Sequence, residues 1–166
     1  MQDLSTLYEL LDNLIRLHQA LYTLAVQKKE ILIKGKMDEL IAVTRQEQKI
    51  IKGIDAVEQT RLQLVKQISV EKNVPLQEGS LSELIRLSTN AQEKVCLSTY
   101  RNELIRIVSE LRDANELNQQ LLEQSLSFVN LQLDMLMDRP EEDYIYKKPM
   151  NSKAGISSRT FINNKA

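Results

Sequence analysis

The side chains that could carry out catalysis or bind a metal ion are few and lie far apart in the sequence. His18 is the only histidine, and the leucines around it at helical spacing favour a polar position in a helical bundle over a catalytic base. Cys96 has no CxxC partner and no histidine near it, which argues against nucleophilic catalysis. The 4 glycines are scattered and form no phosphate-binding loop. We therefore predict no active site, no metal site and no cofactor.

Residues 121–137, by contrast, have the composition of a surface that binds another protein. Ten of these seventeen residues are apolar, whereas a helix packed on one side needs roughly three in every seven. Seven Asn and Gln side chains lie between residues 115 and 132, and no Lys or Arg lies between residues 113 and 138. Apolar surface beyond the needs of one helix face is typical of a binding site. We predict that the site lies along Asn115, Asn118, Leu121, Leu122, Ser125, Phe128, Val129 and Leu136.

Two roles are open for the amide side chains of Asn115 and Asn118. They could belong to a solvated helix face, or to a buried polar layer that fixes the register of a bundle. They could instead supply hydrogen bonds that orient a partner segment in a groove. The amides alone favour the first role, and the neighbouring excess of apolar residues favours the second. Met135 and Met137 add adaptable contact area, which suits a surface that accepts more than one partner.

The amino-terminal half of the sequence predicts a helical hairpin. A first helix over about residues 3–33 has a heptad seam formed by Leu4, Leu11, His18, Ala25 and Leu32, together with Leu7, Leu14 and Leu21. Lys34-Gly35-Lys36 predicts its end, because glycine accepts the left-handed conformation of a helix C-cap. A second helix is predicted over about residues 37–73, with Ile54 and Val57 among its core residues. So short a connection forces the two helices to run antiparallel.

The carboxyl-terminal half predicts a break, a short helix and one long helix. Val74-Pro75 and Gly79 interrupt the helical pattern. Ser80-x-x-Glu83 is a capping box that opens a short helix through Leu87, and Asn90-x-x-Glu93 is a candidate second box. The last helix is predicted over about residues 91–137, a length of roughly 70 Å. The predicted fold is therefore all-α: an elongated antiparallel helical bundle, or coiled-coil hairpin, with a long C-terminal helix.

The distribution of charge and apolar residues sets the domain boundary and excludes some partners. Arg139-Pro140 ends the helical pattern, so we predict a helical domain over residues 1–138 and a disordered tail over residues 139–166. The formal net charge of −1 gives no case for binding nucleic acid. The opening MQDLSTLYELLDN has neither the basic nor the apolar region of a secretory signal, and no apolar run could span a membrane. With a single cysteine, these features favour the cytoplasm.

Two stretches of the sequence resemble a known family. They are QKKEILIKGKMDEL at residues 27–40 and YRNELIRIVSELRDANELNQQLLEQSLSFVNLQLDML at residues 100–136. The pattern NxxNxxLLxxSLxFVN at residues 115–130 is the most particular part. These stretches resemble the FlgN-type flagellar export chaperones over about residues 4–137, which leaves out the predicted tail.

The resemblance implies a cytosolic helical chaperone that is not an enzyme. Its expected partners are the carboxyl-terminal segments of the two hook–filament junction proteins, held before export through the flagellar type III apparatus, and components of that apparatus. The resemblance also implies a client surface on the last long helix. The residues leave two alternatives open: a homo-oligomeric structural coiled coil, such as a homodimer, or a regulator that sequesters a transcription or translation factor.

Overall fold

The structure, a computed structural model, describes residues 2–71 and 79–137, and within these ranges it is built from helices alone. The helices are α1 (Gln2–Lys34), α2 (Met37–Glu71), α3 (Leu81–Leu87) and α4 (Ala91–Met137). The all-α prediction is confirmed, as are the short third helix and the long fourth one. The end of the predicted second helix, the Val74-Pro75 break and the tail over residues 139–166 lie outside the described residues.

The turn between α1 and α2 forms because Gly35 can adopt a backbone conformation that other residues avoid. Gly35 has a φ of 64°, in the left-handed region where an L side chain is strained. Its N–H donates to the carbonyl of Leu32 and the N–H of Lys36 donates to the carbonyl of Ile31, both at 3.2 Å. This pair of bonds is the Schellman motif, which satisfies carbonyl groups at the end of α1. The predicted turn at Lys34-Gly35-Lys36 is therefore confirmed.

Helix α1 is the central helix of the bundle, since it packs against both α2 and α4. The short turn makes α1 and α2 antiparallel, and an ion pair of 2.6 Å between Lys28 and Glu47 joins them. The rings of Tyr8 and Tyr100 stack with their centroids 5.6 Å apart, and Asn118 donates to the carbonyl of Ala25. Both contacts show that α4 runs parallel to α1 and therefore antiparallel to α2.

The core lies where the three long helices meet at the amino-terminal end of α1. Its buried residues come from all three helices: Leu7, Leu11, Leu14, Val65 and Leu97. Leu21 is also buried, and Ile54 and Val57 are half-buried and pack against the core. The hairpin residues predicted as core are thus confirmed as buried or half-buried. Covering apolar side chains in this way is the main favourable contribution to folding.

Side-chain caps begin both α3 and α4, but the two caps differ. Ser80 and Glu83 form the predicted capping box, with each side chain accepting from the other residue's backbone N–H at 3.3 Å. At α4, the Asn90 side chain accepts from the N–H of Gln92 at 2.9 Å. The carboxylate of Glu93 accepts from the hydroxyl of Ser88 at 2.8 Å instead of reaching back to Asn90. Helix α4 therefore begins at Ala91 as predicted, while its cap is not a reciprocal box, because Ser88 engages the carboxylate.

Arg61, a buried residue of α2, forms a hydrogen bond to the backbone just before α3. The Arg61 side chain is bonded at two points to the carboxylate of Glu58, at 2.7 and 2.6 Å, and donates to the carbonyl of Gly79 at 2.9 Å. A β-carbon at Gly79 would meet Leu62 and Val65 at 3.4 Å. Close approach and a left-handed φ of 66° thus both favour glycine there.

No helix in the described part of the chain is long and apolar enough to cross a membrane.

Candidate client-binding surface on helix α4

The polar side chains most able to take part in chemistry make contacts within the bundle instead. The Nδ1–H of His18 donates to the carbonyl of Leu14, one turn earlier in α1, at 2.7 Å. Burial raises the pKa of Tyr8, and it also raises the pKa of Tyr100, with a smaller contribution from a hydrogen bond with Asp12. Both phenols therefore stay neutral in their stacked arrangement. Within residues 2–71 and 79–137, no group of three or more His, Cys, Asp or Glu side chains could hold a metal ion.

Helix α4 extends past the part of the bundle that covers it. Tyr8 contacts Tyr100 and Ala25 contacts Asn118, so each residue of α1 lies beside the residue of α4 whose number is 92 or 93 higher. By that register, the last residue of α1, Lys34, lies level with residue 126 or 127 of α4. The last ten residues of α4, about 15 Å of helix, therefore project beyond the turn between α1 and α2.

Burial along α4 changes at Asn118. Leu97 and Ile107 are buried, whereas no residue of α4 after Asn118 is buried and all those from 122 to 137 are exposed. Phe128 is 59% exposed and Leu136 is 65% exposed. Complete burial of one such side chain is worth about 1.5–3 kcal/mol. This end of α4 therefore presents a large apolar surface that a partner could cover.

The structure places six of the eight predicted site residues after Asn118 on this end of α4, and five of them are apolar. Leu122, Phe128, Val129 and Leu136 are exposed, and Leu121 is half-buried at the edge of the bundle. At 100° per residue, Leu121 and Phe128 lie on one side of the helix and Leu122, Val129 and Leu136 on another. The predicted site left out four exposed apolar residues of α4, each three or four positions from a predicted one, and that spacing was the signal that could have found them: Leu117, Leu126, Leu131 and Leu133.

The three predicted polar residues have different surroundings. Asn115 is exposed. Ser125 is exposed and its hydroxyl donates to the carbonyl of Leu121, in its own helix, at 2.8 Å. Asn118 is only 5% exposed, and its amide nitrogen donates to the carbonyl of Ala25 at 2.8 Å. The structure thus places Asn118 in the interface with α1 and away from the exposed surface, as the buried polar role predicts.

Negative charge borders the exposed surface. The charged residues between positions 113 and 137 are Asp113, Glu116, Glu123 and Asp134, and none is basic. At 100° per residue, Glu116, Glu123 and Asp134 lie within roughly 40° of the side of α4 opposite Asn118. The carboxylate of Glu123 accepts from the amide of Gln119 at 2.8 Å. Any partner of the apolar surface therefore meets carboxylates at its edges.

Comparison with known proteins gives the family of this chain. The family model described as FlgN protein matches residues 1–153, which extends the match beyond residue 137 into the predicted tail. A protein of Bacillus subtilis (strain 168), "Uncharacterized protein YvyG", is 29% identical over 151 residues, covering 91% of each chain. No solved structure matches this chain. The chain belongs to the FlgN family of flagellar export chaperones.

Proposed function

We propose that this protein binds the carboxyl-terminal helical segments of the hook–filament junction proteins in the cytoplasm, through the exposed end of α4. The observation that supports the proposal is the run of exposed apolar residues after Asn118, which nothing in the described part of the chain covers. An amphipathic helix bound along this surface would bury its apolar side chains against those of α4. Binding itself would then be the activity.

The proposed mechanism is holding and release without chemical energy. A client segment that is disordered when free orders on binding, and the entropy of ordering reduces the affinity. Binding would cover the client's own assembly surface and prevent its premature polymerisation before export. Release at the export apparatus then needs only a competing contact or the removal of the free client, because the complex is held by apolar contacts and edge charges alone.

The direct test is a pair of carboxylates placed in the middle of the surface. Leu122 and Val129 are seven residues apart and lie on the same side of α4, two turns from each other. Replacing both by Asp places unpaired charges under a contact that excludes water, which is strongly unfavourable. We expect calorimetry with a synthetic carboxyl-terminal peptide of a junction protein to show binding at least tenfold weaker.

The matched control carries the same two charges on the other side of the helix. Gln120 and Ser127 are also exposed and seven residues apart. Replacing both by Asp should change the affinity by less than about threefold, since an added exposed charge is worth well under 1 kcal/mol. Far-ultraviolet circular dichroism should show the same helix content in both double variants. A Leu122→Asp, Val129→Asp protein that stays helical and binds the peptide as tightly as the unchanged protein would rule out this site.

A further inference from the structure

The exposed end of α4 carries two separate apolar seams. The first is formed by Leu117, Leu121, Phe128, Leu131 and Met135, with Gln124 at the one position of the repeat that is not apolar. The second, formed by Leu122, Leu126, Val129, Leu133 and Leu136, repeats at four, three, four and three residues without interruption. Alternating spacings of three and four residues are the pattern by which one helix packs along another in a coiled coil. Each seam by itself therefore has the pattern of a helix-binding stripe.

The two seams face in different directions. At 100° per residue, the mean directions of the first and second seams differ by roughly 135°. The row of Asn118, Ser125 and Gln132 lies between them and is polar. A helix packed on one side of another covers a stripe of about 100°, so one neighbouring helix cannot cover both seams. In the bundle, by contrast, α4 buries Leu97 and Ile107 towards a single long neighbour, α1.

The charges of α4 favour a partner with a different sequence over a second copy of this chain. The side of the helix away from the polar row carries Glu116, Glu123 and Asp134, and no Lys or Arg lies between residues 113 and 138. Two copies packed through these seams would bring carboxylates to the same edges, with no cation from either segment to pair with them. Like charges at the edges of helix pairs are unfavourable, and opposite charges there select the partner.

We propose that this end of α4 binds two amphipathic helices of one client molecule, one on each seam, with Lys and Arg on the flanks that face the carboxylates. This inference rests on the proposed function and adds the number and chemistry of the client's helices. The carboxyl-terminal segment of the client supplies one helix, and a second helix of the same client covers the other seam. Together they bury apolar residues from both seams, which brings the contact closer to the 20 to 30 residues a side of a stable protein interface.

Three consecutive residues allow a matched test, because successive side chains on a helix differ in direction by 100°. Phe128 lies in the first seam and Val129 in the second, while Ser127 lies on the side of α4 opposite the polar row. All three are exposed. We would compare Phe128→Asp, Val129→Asp and Ser127→Asp in the full chain, with calorimetry against a full-length hook–filament junction protein. We expect binding to be at least tenfold weaker for both Phe128→Asp and Val129→Asp, and the affinity of Ser127→Asp to change by less than threefold. Light scattering should show a one-to-one complex.

Each other result has a distinct meaning. If only Val129→Asp weakens binding while both proteins stay helical, a single client helix covers the second seam, and the two-helix inference is wrong although the proposed function stands. If only Phe128→Asp weakens binding, a single client helix covers the first seam, which refutes the inference and also the placement of the client along Leu122 and Val129. If neither variant affects binding, both the inference and the proposed function fail. A complex with two chaperone chains, in which one of the variants prevents self-association, would show that a second copy covers a seam and would also overturn the inference.

Discussion

Replacement of Leu14 by Ala tests the identification of the core. Leu14 is 4% exposed and belongs to the buried cluster that joins α1 to α2 and α4. The substitution removes about three carbon atoms from this cluster without changing the charge or the backbone. Alanine also has a better helix propensity than leucine, so any loss of stability comes from packing and not from the helix itself.

The expected loss can be estimated from the burial of the side chain. Three carbon atoms at about 0.8 kcal/mol each give about 2.4 kcal/mol for the lost transfer from water. A residual cavity of about 50 Å³ would add about 1.2 kcal/mol at 24 cal/mol per Å³. We therefore expect the free energy of unfolding to fall by between about 2.4 and 3.6 kcal/mol, the lower figure applying if the neighbours close the cavity. This is a large part of the total for a protein with a stability of about 5–15 kcal/mol.

Urea unfolding, followed by circular dichroism at 222 nm, measures the loss. Ile33→Ala is the matched control, since Ile33 is in the same helix and 59% exposed, and its effect should stay within about 0.5 kcal/mol. The affinity of the folded Leu14→Ala protein for the client peptide should equal that of the unchanged protein. If the two variants differ by less than about 1 kcal/mol, Leu14 is not in the core and the packing of the three long helices is wrong.

Two further predictions concern the backbone and the tail. Gly35→Ala should destabilise the protein by about 1 kcal/mol, because the left-handed φ of 64° is strained with a side chain. Gly53→Ala should instead stabilise it by about 1 kcal/mol, because Gly53 lies inside α2 and an added β-carbon meets only Leu17 at an ordinary 3.8 Å. Thermal unfolding of both variants checks the opposite signs, and two changes of the same sign would contradict this account. A chain shortened after Asp138 should keep the helix content and melting temperature of the full chain, and a clear fall in either would show that residues 139–166 contribute to the stability of the bundle.

The boundaries of the helices could be predicted from sequence because the groups that set them are local. The Schellman turn depends on the conformational freedom of Gly35 and on carbonyl groups within five residues of it. The capping box likewise joins Ser80 to a residue three positions later. At Asn90 the same local pattern predicted a box that did not form, because Ser88, before the helix, provides another donor for the carboxylate of Glu93. One competing neighbour is enough to change the partner while the helix still starts at the same residue.

The arrangement of the helices was harder to predict, because a heptad seam does not state which neighbour it faces. The short turn fixed α1 and α2 as an antiparallel pair. The position of α1 between α2 and α4 depends instead on contacts between residues about 90 positions apart, such as Tyr8 with Tyr100. These contacts also set the register that leaves the last ten residues of α4 beyond α1, so the length of the exposed surface follows from packing and not from any local pattern.

Asn118 shows how this register divides the candidate site. Leu97, Leu104 and Leu111 precede Asn118 at intervals of seven residues, and the structure places the last buried residue of α4 at Asn118, where this row turns polar. The sequence could not show that the amide would bond to Ala25, since that contact depends on where α1 lies beside α4. The amide nitrogen of Asn118 favours this register over others, because a shifted register would leave this buried donor without the Ala25 carbonyl. The hydrogen bond that joins Asn118 to α1 thereby also helps to set how much of α4 the bundle leaves uncovered.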